Sequence, residues 1–445
     1  MSTPDPRETL SISPMSRIQI AVVAITVGLN ALDGFDVLAI SFASPGIARD
    51  WGIDRAALGF VLSMELVGMG LGSMLLGGVA DKLGRRRTLL GCLAVMALGM
   101  IMATQAKGVY DLSVWRVFTG LGIGGMLAAI NAVAAEFSNL RRRSLNVSLM
   151  AIGYPLGAIV GGSIAALLLK QGDWRAVFRF GAAATAAFIP LVLWLVPESV
   201  SWLCQRQPSG ALANVNRTLG RMGHQPVASL PPVSAEARKR SVLDIFSPQW
   251  ARVTVLVTLA YFLHITTFYF ILKWVPKIVV DMGFSPSSAA GVLVWANVGG
   301  ATGGAVLGLL SLRVSLKHLT MFVLVMSTIM VAVFGRGQAS LAQLSLICAM
   351  AGFFTNAGVV GLYGILAQVF PTQLRATGTG FAIGFGRAGA VLAPIIAGYL
   401  FHAGYGLEFV AVAMGAGSLI AAVALWRLRH PAAAEVIDVA PAPAA

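Results

Sequence analysis

Twelve runs of roughly 20 mostly apolar residues occupy most of the 445-residue chain. They lie near 18–41, 57–79, 88–106, 113–135, 145–169, 177–197, 251–272, 288–310, 317–335, 340–368, 377–399 and 406–427. Each is long enough to cross about 30 Å of hydrocarbon as an α-helix. Inside a bilayer the backbone N–H and C=O groups find no water, so a run of this kind has to close its hydrogen bonds within itself. The pattern predicts an all-α polytopic membrane protein with twelve transmembrane helices. Hydrophobic residues make up 57% of the chain and charged residues 11%, with a mean hydropathy of +0.81. That balance excludes an ordinary water-soluble protein of this length.

A net charge of +14 would suggest a nucleic-acid partner in a soluble protein, but here the basic residues sort by loop. If the N-terminus is cytoplasmic, 21 of the 32 Lys and Arg fall on the cytoplasmic side, among them Arg85 to Arg87, Arg141 to Arg143 and seven between 200 and 252. This asymmetry is the positive-inside pattern. It places both termini in the cytoplasm of a bacterial inner membrane, with lipid rather than nucleic acid as the surrounding partner. Residues 1–17 are polar and no small-residue cleavage site precedes Ile18, so the first run reads as a retained anchor.

The expected organisation is a cytoplasmic N-terminus (1–17), a six-helix half (18–197), a polar cytoplasmic linker (198–250), a second six-helix half (251–427) and an Ala/Pro-rich disordered tail (428–445). Local similarity supports two repeats: Glu136 precedes Arg143 by the same spacing as Gln368 precedes Arg375. Fifty glycines, many in runs such as Gly68 to Gly72 and Gly299 to Gly304, suit close helix approach. Cys92, Cys204 and Cys348 are too far apart to suggest a disulfide framework or a metal site. No cofactor is implied. No GxxxxGK[ST], HExxH or GxSxG pattern occurs, so ATP-driven transport and hydrolysis have no visible machinery, and an enzyme is rejected.

The polar residues inside the apolar runs carry the functional argument. Asp33 and Asp36 sit in the first run, and each carboxylate near a helix centre costs about 2.5–3.5 kcal/mol to insert. Either they lie close enough to the headgroups to be solvated, or they form a proton-coupling pair, since residues three apart share a helix face. Glu65 is a proton relay or one end of a salt bridge. Arg387, flanked by glycines, suits bidentate recognition of a carboxylate, or else it neutralises Asp33, Asp36 or Glu65. Arg116 serves substrate binding or helix packing. On the seventh run, His264 and Tyr269 offer a hydrogen-bonding group and a ring face for a phenolic ligand, or pack among their neighbours. Tyr154, Asn297, Asn356 and Tyr363 are further candidates for a polar cavity, while Trp274 and Pro276 mark the interface end of the seventh run.

Several motifs resemble those of a known family. Gly77-Gly78-Val79-Ala80-Asp81-Lys82-Leu83-Gly84-Arg85-Arg86-Arg87 is similar to the GxLADRxGRR loop of the major facilitator superfamily, Arg116-Gly120-Gly124 to its RxxxG motif, and Glu136 with Arg143 to its E-x6-R pair. Pro197 to Leu203 resembles the PESPRWL segment of sugar and organic-ion carriers. The resemblance implies two six-helix bundles and a cytoplasmic latch of Asp81, Arg85, Glu136, Arg143, Glu198 and Arg375 that closes in the outward-facing state; one twelve-helix chain can form a complete path, so a functional monomer is expected. The second half departs from the pattern: Leu310 to Ser315 lacks the acidic residue and glycine of the loop, and Gln368 replaces the glutamate.

Leu32-Asp33-Gly34-Phe35-Asp36 resembles the DGxD motif of the aromatic acid:proton symporter family, as do Phe370 to Gly378 and Gly384 to Gly389 with Pro394. This implies alternating-access import of benzoate, hydroxybenzoate, protocatechuate or lignin-derived acids with protons. The proton-coupling candidates are then Asp33, Asp36 and Glu65, and the substrate-binding candidates Arg387, Arg116, His264, Tyr269, Asn297, Asn356 and Tyr154. The segment Gly153-Tyr154-Pro155-Leu156-Gly157 is similar to the glycine/proline motif of drug antiporters, which keeps efflux as a rival. Uptake of another organic anion or a sugar also stays open.

Overall fold

The structure, a computed structural model, describes residues 5–232, 245–337, 340–370 and 372–428. The centre of the linker (233–244) and most of the predicted tail (429–445) lie outside them. The described chain forms α1 (Pro6–Ile12), α2 (Arg17–Trp51), α3 (Arg55–Leu83), α4 (Arg85–Ala103), α5 (Val109–Glu136), α6 (Arg143–Leu168), α7 (Arg175–Leu195), α8 (Val200–Arg206), α9 (Ala211–Arg221), α10 (Ala251–Asp281), α11 (Pro286–Leu310), α12 (Leu316–Gly335), α13 (Leu341–Val369), α14 (Thr372–His402) and α15 (Leu407–Arg427). Twelve of these, α2 to α7 and α10 to α15, are long and apolar enough to cross a membrane.

Helix starts follow the side chains available to cap them. Ser16 and Gln19 form a reciprocal capping box at α2, and Asp54 Oδ1 accepts the Ala57 N–H at 2.7 Å to start α3. Two helices run well past their apolar runs. α2 continues through Pro45 to Trp51, where Gly52 takes a left-handed conformation (φ 59°). α10 continues through Lys273, Trp274 and Pro276 to Asp281. Trp274 is therefore not an interface marker: it is buried, and its Nε1 donates to the Pro394 carbonyl at 3.3 Å.

The two halves repeat one pairing scheme. α2 packs on α6, α3 on α5 and α4 on α7, and the second half repeats this as α10 on α14, α11 on α13 and α12 on α15. Glycine makes the tightest seams. A Cβ at Gly157 would fall on the Ala31 carbonyl of α2, one at Gly120 on the Glu65 carbonyl of α3, and one at Gly352 on the Ala296 carbonyl of α11. Large apolar side chains such as Trp194, Phe322, Leu346 and Trp426 face outward, where lipid takes the place of water.

α1 and α8 touch, and the Lys317 Nζ reaches the Leu428 carbonyl at 2.6 Å, so Leu428 is packed rather than part of a loose tail. We call the face bearing α1, α8 and Leu428 the terminal face. At the opposite face the halves close on each other. Arg55 of α3 pairs with Asp281 of α10 at 3.0 Å, and the Ser287 hydroxyl of α11 donates to the Ala166 carbonyl of α6 at 2.6 Å. Gly59 of α3 packs on Pro394 and Gly398 of α14. Toward the terminal face, α3 and α14 diverge around a cavity of about 790 Å³ lined by Gly70, Ser73 and Met74 of α3, Ala367 of α13, and Arg375, Thr379, Ile383 and Arg387 of α14.

A Gly157→Leu substitution is expected to cost about 1–3 kcal/mol or more through overpacking and to lower the thermal midpoint of purified protein by several degrees. Gly91, around which a Cβ meets nothing within 4 Å, should accept alanine with no loss in the same thermal scan.

Candidate functional site

Five charged side chains converge in the closed part of the molecule: Asp33 and Asp36 from α2, Glu65 from α3, Arg116 from α5 and Lys273 from α10. All are essentially inaccessible to solvent. Gly34, between the two aspartates, lets the α6 backbone at Tyr154 approach α2 closely. Arg116 is in ion-pair contact with Glu65 Oε1, without hydrogen-bond alignment. It donates to the Asp36 carbonyl at 3.1 Å and to Met100 Sδ at 3.2 Å, and lies over the Phe178 ring. Lys273 Nζ stands 3.5 Å from Glu65 Oε2 and donates to the Val37 carbonyl.

The aspartates are less well served. Asp36 Oδ2 accepts from the Thr185 hydroxyl at 3.5 Å, while Asp36 Oδ1 and both Asp33 oxygens have no hydrogen-bond partner among the described residues. The burial of Asp33 and Asp36, at 1% and 0% exposure, keeps both away from headgroup solvation in this form. Fully ionised, the five groups would carry one excess negative charge in a medium where unpaired charge is expensive. One bound proton makes the cluster neutral.

The cluster lies beyond the inner end of the cavity, since Glu65 is about one and a half turns of α3 from Gly70. Arg375, Thr379, Ile383 and Arg387 recur every four residues and form one face of α14 along the cavity. Half-buried Arg387 stands at its inner end and exposed Arg375 nearer the terminal face. The cations beside Glu65 are Arg116 and Lys273, so Arg387 is not the neutralising partner. Tyr261 packs its ring against Gly386 and shares a 3.1 Å hydroxyl contact with Tyr363, one turn from Ala367 on α13. Tyr261 and Tyr269 both lie within electrostatic range of Arg387. Tyr154 is within range of Tyr269, Tyr363, Asp33 and Glu65. Aromatic hydroxyls from both halves thus gather between Arg387 and the acidic cluster.

Other sequence candidates have local work. His264 is buried in the second half, with Nδ1 2.8 Å from the Ser418 hydroxyl and Nε2 2.8 Å from the Thr355 carbonyl. Both nitrogens are occupied by α13 and α15, which makes it a packing residue. Asn297 donates to the Leu293 carbonyl one turn back, and Asn356 ties α13 to α11 through the Gly300 carbonyl at 2.7 Å.

At the terminal face, Arg85 pairs with Glu136 at 2.9 Å and with Asp81 at 2.8 Å. Glu198 accepts backbone N–H groups from Arg85 (2.8 Å), Ser199 (3.0 Å) and Arg86 (3.3 Å). Burial pushes the Glu198 carboxyl above the usual carboxylate range, and those N–H groups pull it back. Gly84 (φ 100°) is needed there, since a Cβ would strike the Glu198 carboxylate. Asp81, Arg85, Arg86 and Glu136 belong to the first half, and Glu198 and Ser199 follow directly after it. Arg143 is exposed, and Glu136 pairs with Arg85 instead; Arg375 stands across the cavity mouth.

A twelve-helix membrane carrier is the class that this fold and buried charge define. The family model described as the Major Facilitator Superfamily matches residues 26–347 and 257–444, and the chain belongs to that superfamily. Among its relatives, the 3-(3-hydroxy-phenyl)propionate transporter of Escherichia coli (strain K12) is 31% identical over 91% of this chain and 93% of its own length. The gallate transporter of Pseudomonas putida is 29% identical, covering 96% of this chain and 95% of its own, and the 4-hydroxybenzoate transporter of the same species is 30% identical with 94% of each covered. A solved D-xylose-proton symporter superposes with a TM-score of 0.72 at 18% identity, over 92% of this chain and 98% of that one, a likeness of fold. The chain is a transporter and not an enzyme.

Lys273 was missed by sequence reasoning because the seventh run was ended at 272, which turned a buried lysine into a flanking one. A helix continued to Asp281 would have placed it about two turns inside. Removing Arg116 should be severe: Arg116→Leu leaves Glu65 with Lys273 alone and is expected to cost about 3–5 kcal/mol, whereas Arg143→Gln should stay within about 0.5 kcal/mol. Unfolding of the detergent-purified variants measures both.

Proposed function

We propose that this transporter imports aromatic carboxylic acids together with protons by alternating access. The observation that carries the reading is the arrangement of a half-buried arginine, a group of tyrosines and a buried cluster with one more acid than cation along a single inter-helical path. Arg387 holds the carboxylate through its planar fork, and Tyr154, Tyr261, Tyr269 and Tyr363 supply ring faces and hydroxyls to an aromatic body. The relatives named for gallate, 4-hydroxybenzoate and 3-(3-hydroxy-phenyl)propionate share this chemistry, an aromatic ring with a carboxylate and a hydroxyl.

Asp33 carries the coupled proton in this scheme. Glu65 already has two cations and Asp36 has the Thr185 hydroxyl, while neither Asp33 oxygen has a partner. The halves 18–197 and 251–427 are the moving units, and one chain forms a complete path. The basic loops orient the terminal face toward the cytoplasm of a bacterial inner membrane. The structure then represents a form open to the cytoplasm, with Asp81, Arg85, Glu136 and Glu198 held on one half, and Arg143 and Arg375 free to engage when that side closes. One proton with one monocarboxylate is electroneutral, so the pH gradient alone drives it, at about 1.4 kcal/mol per unit.

Uptake of radiolabelled benzoate, 4-hydroxybenzoate, gallate and 3-(3-hydroxyphenyl)propionate into expressing cells, at two external pH values with and without a protonophore, tests the reading. Accumulation should rise at acid pH and collapse with the protonophore; accelerated loss of preloaded acid would instead make the protein an exporter. Asp33→Asn should abolish uphill accumulation with protein still in the membrane, and pH-driven accumulation by that variant would remove Asp33 from the role. Arg387→Lys, replacing a fork by a point charge, should raise the half-saturating concentration about tenfold, a change of about 1.4 kcal/mol, read from uptake against concentration.

A further inference from the structure

Lys273 belongs to the second half of the molecule, yet its ammonium ends inside the first. Its partners are Glu65 Oε2 of α3 at 3.5 Å and the Val37 carbonyl of α2. The other contacts described between the halves at this end include two exposed pairs, Arg55–Asp281 and His402–Asp54, a hydroxyl on a carbonyl, Ser287–Ala166, and glycine packing. Lys273 is the fully buried charge among them. If the opposite face opens, α10 separates from α2 and α3, and Lys273 leaves with it. Glu65 keeps Arg116, because both belong to the first half.

Charge counting gives this movement a consequence. The charged groups facing the docked ammonium are Glu65 (α3) and Arg116 (α5), with Asp33 and Asp36 (α2) beyond them and the uncharged Thr185 (α7), Tyr154 (α6) and Tyr269 (α10) at the edges. Docked, the cluster holds three acids and two cations. With Lys273 withdrawn it holds three acids and one cation, and one additional proton restores the earlier net charge.

We infer that Lys273 and a proton exchange for one another on the acidic cluster: docking of Lys273 seals the opposite face and expels a proton toward the terminal face, and when Lys273 withdraws and that face opens, a proton from the opposite side takes its place. Lys273 is then a positioning residue that couples the conformation of the halves to proton occupancy. The energetic link is reciprocal, so whatever Lys273 takes from proton binding the proton takes from closure. The coupling to transport rests on the proposed symport reading; the lock itself does not.

The test uses Val294→Cys, on α11 against Gly162 of α6 across the seam, in full-length protein with the three buried native cysteines replaced by alanine. Without substrate, Lys273→Met should raise the rate of labelling by a membrane-impermeant maleimide about fivefold or more as the population shifts to the open form, and Lys273→Arg should stay near the unmodified rate. Labelling of Lys273→Met at the unmodified rate would overturn the lock. Should Lys273→Met not be recovered folded, Glu65→Gln, which leaves Lys273 its Val37 carbonyl, has to show the same rise, and an unchanged rate there overturns the lock equally. For the exchange, Lys273→Met should lose uphill accumulation of a transported acid while still exchanging internal for external substrate, with Lys273→Arg restoring accumulation; uphill accumulation by Lys273→Met would overturn it. If the unmodified protein moves no aromatic acid, the substrate assignment fails while the labelling result still decides the lock.

Discussion

Charge buried without water is the constraint on which the rest of the structure depends. Five ionisable side chains from four helices have to satisfy one another in the closed part of a bundle whose outer surface faces hydrocarbon. Isolated, each carboxylate or cation would cost about 2.5–3.5 kcal/mol to hold near the centre of a spanning helix. Together, Arg116 serves Glu65 and the Asp36 carbonyl, and Lys273 serves Glu65 and the Val37 carbonyl. The geometry of α2, α3, α5 and α10 relative to one another follows from those shared partners as much as from apolar packing. The charges are not fully balanced, and that residue of imbalance gives the site its chemistry.

The architecture was largely legible from the sequence because a membrane leaves so few options. Length and apolarity mark each crossing, and the twelve runs correspond to the twelve spanning helices with differences mainly at their ends. The ends are where the signal is ambiguous. At Lys273 a cation normally says that the hydrocarbon has been left behind, but its acidic partner lies over two hundred positions earlier, and no local pattern reveals it. His264 meets the same limit. The sequence leaves its imidazole open to a ligand or to packing, and Ser418 and Thr355, which occupy both nitrogens, come from two other helices. Asp33, Asp36, Glu65 and Arg116 stood out correctly as charges that need partners, but which pairs form is a property of the packed bundle.

The two halves repeat a helix-pairing scheme while differing in polar content. The first half carries the aspartates, Glu65, Arg116 and the Asp81–Arg85–Glu136 network with Glu198 beside it; the second contributes Lys273, the tyrosines of α10 and α13, and the arginines of α14. The missing acidic residue after α11 and the glutamine at 368 belong to the same division. A common scaffold has kept its seams and dispersed its charges unequally, so that the polar groups facing each other across the central path are complementary.

The glycine seams carry a mechanical consequence. Within each half, helix backbones touch where a single added carbon would collide with a carbonyl oxygen, and contact of that kind leaves no side-chain rotamers to absorb displacement. Between the halves, the described polar contacts sit toward one end, and the other end spreads around the cavity. Backbone contact of the same kind also joins the halves at the first of these ends, where a Cβ at Gly59 would strike the Pro394 carbonyl and one at Gly398 the Arg55 carbonyl. A helix pair joined backbone to backbone can shift only as a unit, so the same residue type that lets the helices pack also fixes which parts of each half stay together.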